Sequence, residues 1–503
     1  MKNISIAVIA LCAFTFVGCD DEDYIVLPEP ADKETPAVDG TEYTSGTADF
    51  STFVSVGNSL TAGYSDGALF ISGQESSFPN ILAKQFALAG GGAFSQPLMN
   101  DNLGGLLLGG NQIMGNRFYL KFDPVNGVGP VRLSGTPTTE VSTILSGPFN
   151  NMGVPGAKSY HLGFSGYGNI AGVGTYANPY YVRMATSPGA TVMGDVMAQS
   201  PSFFSLWIGN NDVLSYATSG GDGTDQKGNY DPATYGGNDI TDPVVFKNVY
   251  GGLLQTLTSG GAKGVVATIP NVTTIPYFTT VPYNAIPLDA ATAGVLNQAF
   301  APYNGGLQLM VSNMLLSQEE ADRRMISFAK GKNPVLMLDE DLTDLTAYNS
   351  GLTNMRQATE TDLLVLPSKN FIGTLVGGNA QYINGVSVPL GDMWVLTPEE
   401  QEKVNIAQLS YNETIKDLAG QYGLAVFDAA SLLTELIETG ITQNGITTTG
   451  VFATGGGFSL DGVHPSPRGY AIMANGMIEA INTSYQSNLP KVNVGNYKGV
   501  YIQ

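Results

Sequence analysis

The chain has 503 residues, 43% hydrophobic and 13% charged, which is enough apolar matter for a sizeable core and argues against a disordered chain. Its 22 Lys plus Arg face 43 Asp plus Glu, a formal net charge of −21, and so acidic a surface repels phosphate backbones and argues against a nucleic-acid partner. Cys12 and Cys19 are the only cysteines, which excludes a disulfide framework or a cysteine-based zinc site further along. His161 and His464 are the only imidazoles.

At the N-terminus, Lys2 precedes an apolar run from Ile4 to Val17, then Gly18 and Cys19. A short basic region and an apolar stretch of this size read as a secretory signal over residues 1–18. Phe16-Val17-Gly18-Cys19 resembles a bacterial lipoprotein box, in which Cys19 is lipidated. Phe16 is an unusual first residue for that box, and an ordinary signal peptide cut nearby is the alternative. Asp20-Asp21-Glu22-Asp23 resembles the surface-export signal of Bacteroidetes lipoproteins and reads equally as a solvated linker. Residues 19–48, acidic and then rich in Pro, Thr and Gly, read as a tether. An exported protein anchored at the outer membrane, facing the cell surface, is the expected location. No later stretch has 18 consecutive apolar residues.

From residue 49 short β-branched or apolar runs alternate with helical patterns. Phe50–Val56 stops at Gly57 and Phe203–Ile208 stops at Gly209. Gly264–Ile269 and Leu424–Asp428 complete the set of strands. Between them, Asp242-Pro243 caps a helix with Phe246, Tyr250 and Leu254 in phase. Thr397-Pro398-Glu399-Glu400 is a capping box, and Ser466-Pro467 opens a last helix through Tyr485. This alternation predicts an α/β fold with a parallel sheet covered on both faces, whose ligands bind at the C-terminal strand ends. Residues 89–150 and 272–395 fit poorly and read as insertions. Residues 219–242, rich in Asp, Asn and Gly but without EF-hand spacing, read as a surface loop, and 487–503 as a tail.

Four motifs carry chemistry. Gly57-Asn58-Ser59-Leu60 begins where the first strand ends, a turn that exposes a serine and turns its N–H toward an oxyanion site. Asn151-Met152-Gly153-Val154-Pro155-Gly156-Ala157 reads as a turn whose glycine backbone approaches a substrate closely. Gly209-Asn210-Asn211-Asp212 follows the second strand. In Asp461-Gly462-Val463-His464-Pro465 three residues separate carboxylate and imidazole, so one loop can place them side by side, the contact a Ser-His-Asp triad needs. A competing nucleophile is Ser65 in Gly63-Tyr64-Ser65-Asp66-Gly67, a Gly-x-Ser-x-Gly match that lies too far past the strand end. His161 reads as a loop histidine beside the site, and Trp207 as core.

In this order the four motifs resemble the GDSL/SGNH hydrolase family of esterases and lipases. The resemblance implies a three-layer α/β/α sandwich with a five-stranded parallel sheet, over residues 49–486. It implies Ser59 as nucleophile, His464 as base and Asp461 as its orienter. The oxyanion hole falls to the Ser59 N–H, the Gly156 N–H and the Asn211 amide, with Gly153 the alternative to Gly156. Asn58 departs from the family's usual Asp. A serine ester hydrolase without metal or cofactor is thus expected, acting on a small-molecule, lipid or acylated-glycan ester, with the membrane met through Cys19. An inactive binding lipoprotein on the same scaffold, or a polysaccharide O-acetylesterase, are the alternatives.

Overall fold

A computed structural model describes residues 40–502 apart from 124–126, so the signal, Cys19 and the acidic run lie outside the described residues. The chain divides at Glu42/Tyr43, and the sheet, its helices and the site belong to the unit that Tyr43 opens.

Five short strands form one sheet: β1 Phe53–Gly57, β2 Asn151–Gly153, β3 Phe203–Trp207, β4 Lys263–Ala267 and β5 Ala425–Phe427. Their spatial order is β2-β1-β3-β4-β5 and every pairing is parallel, with Val54 opposite Phe204 and Ser205 opposite Val265. Every residue of β1 and β3 is buried, as parallel strands require when both faces are covered. The two hydroxyls inside the sheet, Ser55 and Ser205, satisfy each other at 2.6 Å.

The helices that matter for the site are α1 Ser59–Ala62, α2 Phe78–Ala87, α3 Asn211–Thr218, α4 Pro243–Thr258, α5 Pro398–Tyr422, α6 Ala429–Glu438 and α7 Pro467–Tyr485. Their starts follow the local chemistry. Asp242 accepts the Val244 and Val245 N–H groups at 2.8 and 3.0 Å. Thr397 and Glu400 cap α5 reciprocally, with the Thr397 N–H reaching Glu400 Oε2 at 2.7 Å and the Glu400 N–H reaching Thr397 Oγ1 at 3.4 Å. Ser466 Oγ accepts the Gly469 N–H at 3.1 Å. Phe246 of α4 stacks on Tyr411 of α5 at 4.1 Å, and Trp207 of β3 sits in the core against Phe78 and Phe427.

Three boundaries differ from the sequence reading. Residues 151–153, expected as part of a turn, form the edge strand β2. Three residues are too few to show a period, and the pairing with β1 supplies what the sequence does not show. The expected tether runs too far: the Thr47 N–H bonds the Tyr485 carbonyl at 2.8 Å and Ala48 is buried. The tail packs, with Leu489 and Val494 in the main core. The segment expected as the second insertion builds apolar clusters of its own, one around Leu307, Leu336 and Leu345, another around Val335, Leu364 and Leu390. No described helix is long and apolar enough to cross a membrane.

Candidate active site

The strand order reverses between β1 and β3, and in open parallel sheets such a point leaves a crevice at the carboxyl ends of the strands. Ser59 follows β1 and Asn211 follows β3, so both stand at that crevice.

The turn after β1 is fixed by close approach. A Cβ on Gly57 would fall 2.3 Å from the Trp207 carbonyl, so only glycine fits. Asn58 then caps α1, its Oδ1 accepting the Leu60 N–H at 3.0 Å, and its Nδ2 donates to Asn210 Oδ1 at 3.2 Å. The second bond ties the β1 turn to the β3 turn, and a carboxylate cannot donate it. The departure Asn58 is therefore built into the site as a donor. Ser59 is the first residue of α1, where an N–H has no intrahelical partner.

The imidazole comes from the loop before α7. Asp461 Oδ1 accepts the N–H groups of Val463 and His464 at 2.9 and 2.8 Å and the Ser459 hydroxyl at 3.0 Å. Asp461 Oδ2 accepts the Gly67 N–H at 2.9 Å and faces His464 Nδ1 at 2.9 Å. The carboxylate can only accept, so the proton sits on Nδ1, and Nε2 is left to accept from Ser59 Oγ at 2.9 Å. Burial of Asp461 works against ionisation. Electrostatic attraction to the His464 ring and the converging hydrogen bonds outweigh it and hold the carboxyl at about 2. The Tyr64 ring covers the imidazole at 4.7 Å.

The glycine turn gives Gly153 and Gly156 different surroundings. Gly153 lies in β2, its N–H is taken by Asn151 Oδ1 at 3.0 Å, and a Cβ there would sit 2.3 Å from the Ala62 nitrogen. Its glycine serves the packing of α1. Gly156 stands exposed with φ +81°, in the left-handed region. Among the described hydrogen bonds neither the Ser59 nor the Gly156 N–H has an acceptor. Asn211 Nδ2 donates to the Ala157 carbonyl at 2.9 Å, which ties the amide to this turn and leaves its other N–H. Asp212, buried, accepts the Ser159 N–H at 2.9 Å and hydroxyl at 2.7 Å and fixes the same turn to α3.

The other candidates have different places. Ser65 is buried and donates to the Pro465 carbonyl at 3.1 Å, so it belongs to the Tyr64–Ala68 turn that presents the Gly67 N–H to Asp461. His161 Nδ1 accepts the Lys158 N–H at 3.0 Å while its ring stacks on Tyr167. Burial, then the Lys158 charge, pushes it down to about 4, so it is a neutral turn cap. Trp207 is core and also lines the site pocket.

Spacing did not point to Gly67, Ser459 or Asp66. Asp66 Oδ1 accepts the Leu460 N–H at 2.9 Å and its own N–H reaches Ser459 Oγ at 2.9 Å, across 394 and 393 residues. The Gly-x-Ser-x-Gly match was the one signal at this turn.

An apolar pocket opens beside Ser59 and His464, walled by Leu214, Val272, Ile275, Leu432, Leu436 and Met473. Its wall is almost wholly apolar, with Asn58, Asn210 and Asn211 at the end that meets Ser59 and His464. Among the described residues, the one trio of ligating side chains close enough to share an ion lies outside this site. No family model, curated protein or solved structure matches the chain.

Proposed function

We propose that the protein is a serine ester hydrolase of the GDSL/SGNH type, on that family's three-layer sandwich. The observation that carries the reading is the unbroken relay from Asp461 through His464 to Ser59, 2.9 Å at each link. In this reading Ser59 Oγ attacks the ester carbonyl carbon and its proton passes to His464 Nε2. Asp461 stabilises the imidazolium. The unengaged N–H groups of Ser59 and Gly156 and the Asn211 amide take the oxyanion, and each such donor contributes about 10²–10³ in rate. Collapse breaks the ester C–O bond, and the leaving alcohol takes the proton from Nε2. Water then repeats the sequence on the acyl-enzyme, releasing the carboxylic acid and free Ser59. No step calls on a cofactor.

The apolar wall of the pocket beside Ser59 supports an ester with an apolar acyl group. The N-terminal motifs support an outer-membrane lipoprotein anchored through Cys19 and facing the cell surface. Hydrolysis of p-nitrophenyl esters from two to sixteen carbons, beside Ser59→Ala, tests the reading. Esters with an apolar acyl chain are expected to be cleaved faster than acetate, with activity lost in the variant. Equal rates for wild type and Ser59→Ala would refute it.

A further inference from the structure

Far along α3 from Asn211, the helix gives way after Thr218 to a loop with Gly220 and Gly221, both with positive φ. Three carboxylates meet there. Glu340 follows the strand Leu336–Leu338 and Asp392 opens the turn Asp392–Trp394, both within the insertion; Glu400 stands in the first turn of α5. One oxygen from each lies within 4.8 Å of the others. Two oxygens on opposite sides of an ion, each about 2.4 Å from it, are about 4.8 Å apart.

The second observation is a pair of orphaned acceptors. Glu400 is 0% exposed. Its Oε2 is used by the Thr397 N–H and hydroxyl at 2.7 and 2.9 Å, while its buried Oε1 has no hydrogen-bond partner. Asp392 Oδ1 is likewise buried and unpartnered. Oε1 looks at the Gly221 backbone so closely that a Cβ there would lie 1.7 Å from it, and a Cβ on Gly220 would lie 2.3 Å from the Asp392 carbonyl oxygen. Gly221 is thus required by the approach of this loop to the Glu400 carboxylate, and Gly220 by its approach to the backbone at Asp392. Among the described residues no lysine, arginine or histidine is within ion-pair distance of any of the three.

Buried carboxylate oxygens without donors are costly unless a positive charge joins them. An all-oxygen donor set selects hard cations, and an irregular set drawn from three chain segments suits calcium's loose geometry better than magnesium's strict octahedron. We propose that Glu340, Asp392 and Glu400 bind one calcium ion that pins the insertion to α5. The ion is structural and takes no part in the chemistry at Ser59.

The test is calorimetric titration of the chelator-stripped full chain with calcium chloride, beside Glu340→Gln and Asp392→Asn, with thermal unfolding of each. The wild type is expected to bind one ion per chain and to melt at higher temperature with calcium than with sodium chloride of equal ionic strength. Each variant is expected to bind roughly tenfold more weakly or worse, since each loses one charged ligand. Stripped Asp392→Asn is expected to melt no lower than the stripped wild type, because its amide relieves the repulsion; a misfolded variant would melt lower. No binding by the wild type up to about 10 mM, beyond the range of weak extracellular sites, overturns the proposal. So does an unchanged affinity in both variants. An equal or stronger response to magnesium overturns the calcium assignment.

Discussion

Asp461→Asn isolates the part of the site that organises the imidazole. The carboxylate accepts from Val463, His464, Ser459 and Gly67 as well as from the His464 ring. An amide keeps one acceptor. With its oxygen on the Val463 and His464 N–H groups, its NH₂ faces the Gly67 N–H and His464 Nδ1. His464 then moves its proton to Nε2, which no longer accepts from Ser59. A wrong tautomer of this kind costs about 10⁴ in kcat, or about 5.5 kcal/mol of barrier. The stability effect is smaller. Holding the carboxyl at about 2 against an ordinary 3.8 corresponds to about 2 kcal/mol. The sign follows from the depressed value: this stabilisation is present above about pH 4 and is lost as pH falls toward 2. Steady-state hydrolysis of p-nitrophenyl butyrate gives the first magnitude, and thermal unfolding at pH 7 and pH 3 the second. A variant that keeps more than about a tenth of wild-type kcat would refute the relay, because the tautomer argument leaves no comparable base.

Asn211→Ala is expected to lower kcat about 10²–10³-fold with KM little changed, and a fall below about threefold in steady-state assays would remove Asn211 from the oxyanion site. Met473→Trp, placed in the pocket wall, should cut hexanoate hydrolysis about tenfold or more while acetate stays within about threefold; parallel losses on both esters would mean that the acyl chain lies elsewhere. Asp66 is buried, its carboxyl pushed up to about 7 mainly by that burial, so its contribution to stability is present below about pH 4 and fades as pH rises through 7. Asp66→Asn keeps the acceptor for Leu460 and suits the positive φ of 51°, so it should melt above the wild type at pH 8 and alongside it at pH 4; the reverse order at pH 8 contradicts the burial argument.

What the sequence disclosed divides by range. Ser59, Asn211 and the Asp461–His464 pair were legible because each sits in a short motif next to a strand end or helix cap, and local chemistry fixes such turns. Four of the five sheet strands showed as β-branched or apolar runs. The fifth, Asn151–Gly153, is three residues long and owes its state to the pairing with β1. The turn that orients Asp461 showed in the sequence only as a Gly-x-Ser-x-Gly match set aside as a nucleophile; its role was hidden because Ser65 and Gly67 take their meaning from Pro465 and Asp461, some 400 residues away. The choice of Gly156 over Gly153 depended on what surrounds each one, and only packing shows that Gly153 is pressed against Ala62. Asn58, a departure from the family pattern in the sequence, becomes intelligible through its donation to Asn210.

The measurement that bears most directly on the central claim is covalent trapping. The full chain is treated with a fluorophosphonate, and the modified residue is located by peptide mass spectrometry, with Ser59→Ala and His464→Ala in parallel. The account predicts one adduct per chain, on Ser59, none in the alanine variant, and slow labelling without His464. Labelling of Ser65 in place of Ser59, or none in a folded chain that also hydrolyses no ester, would contradict it.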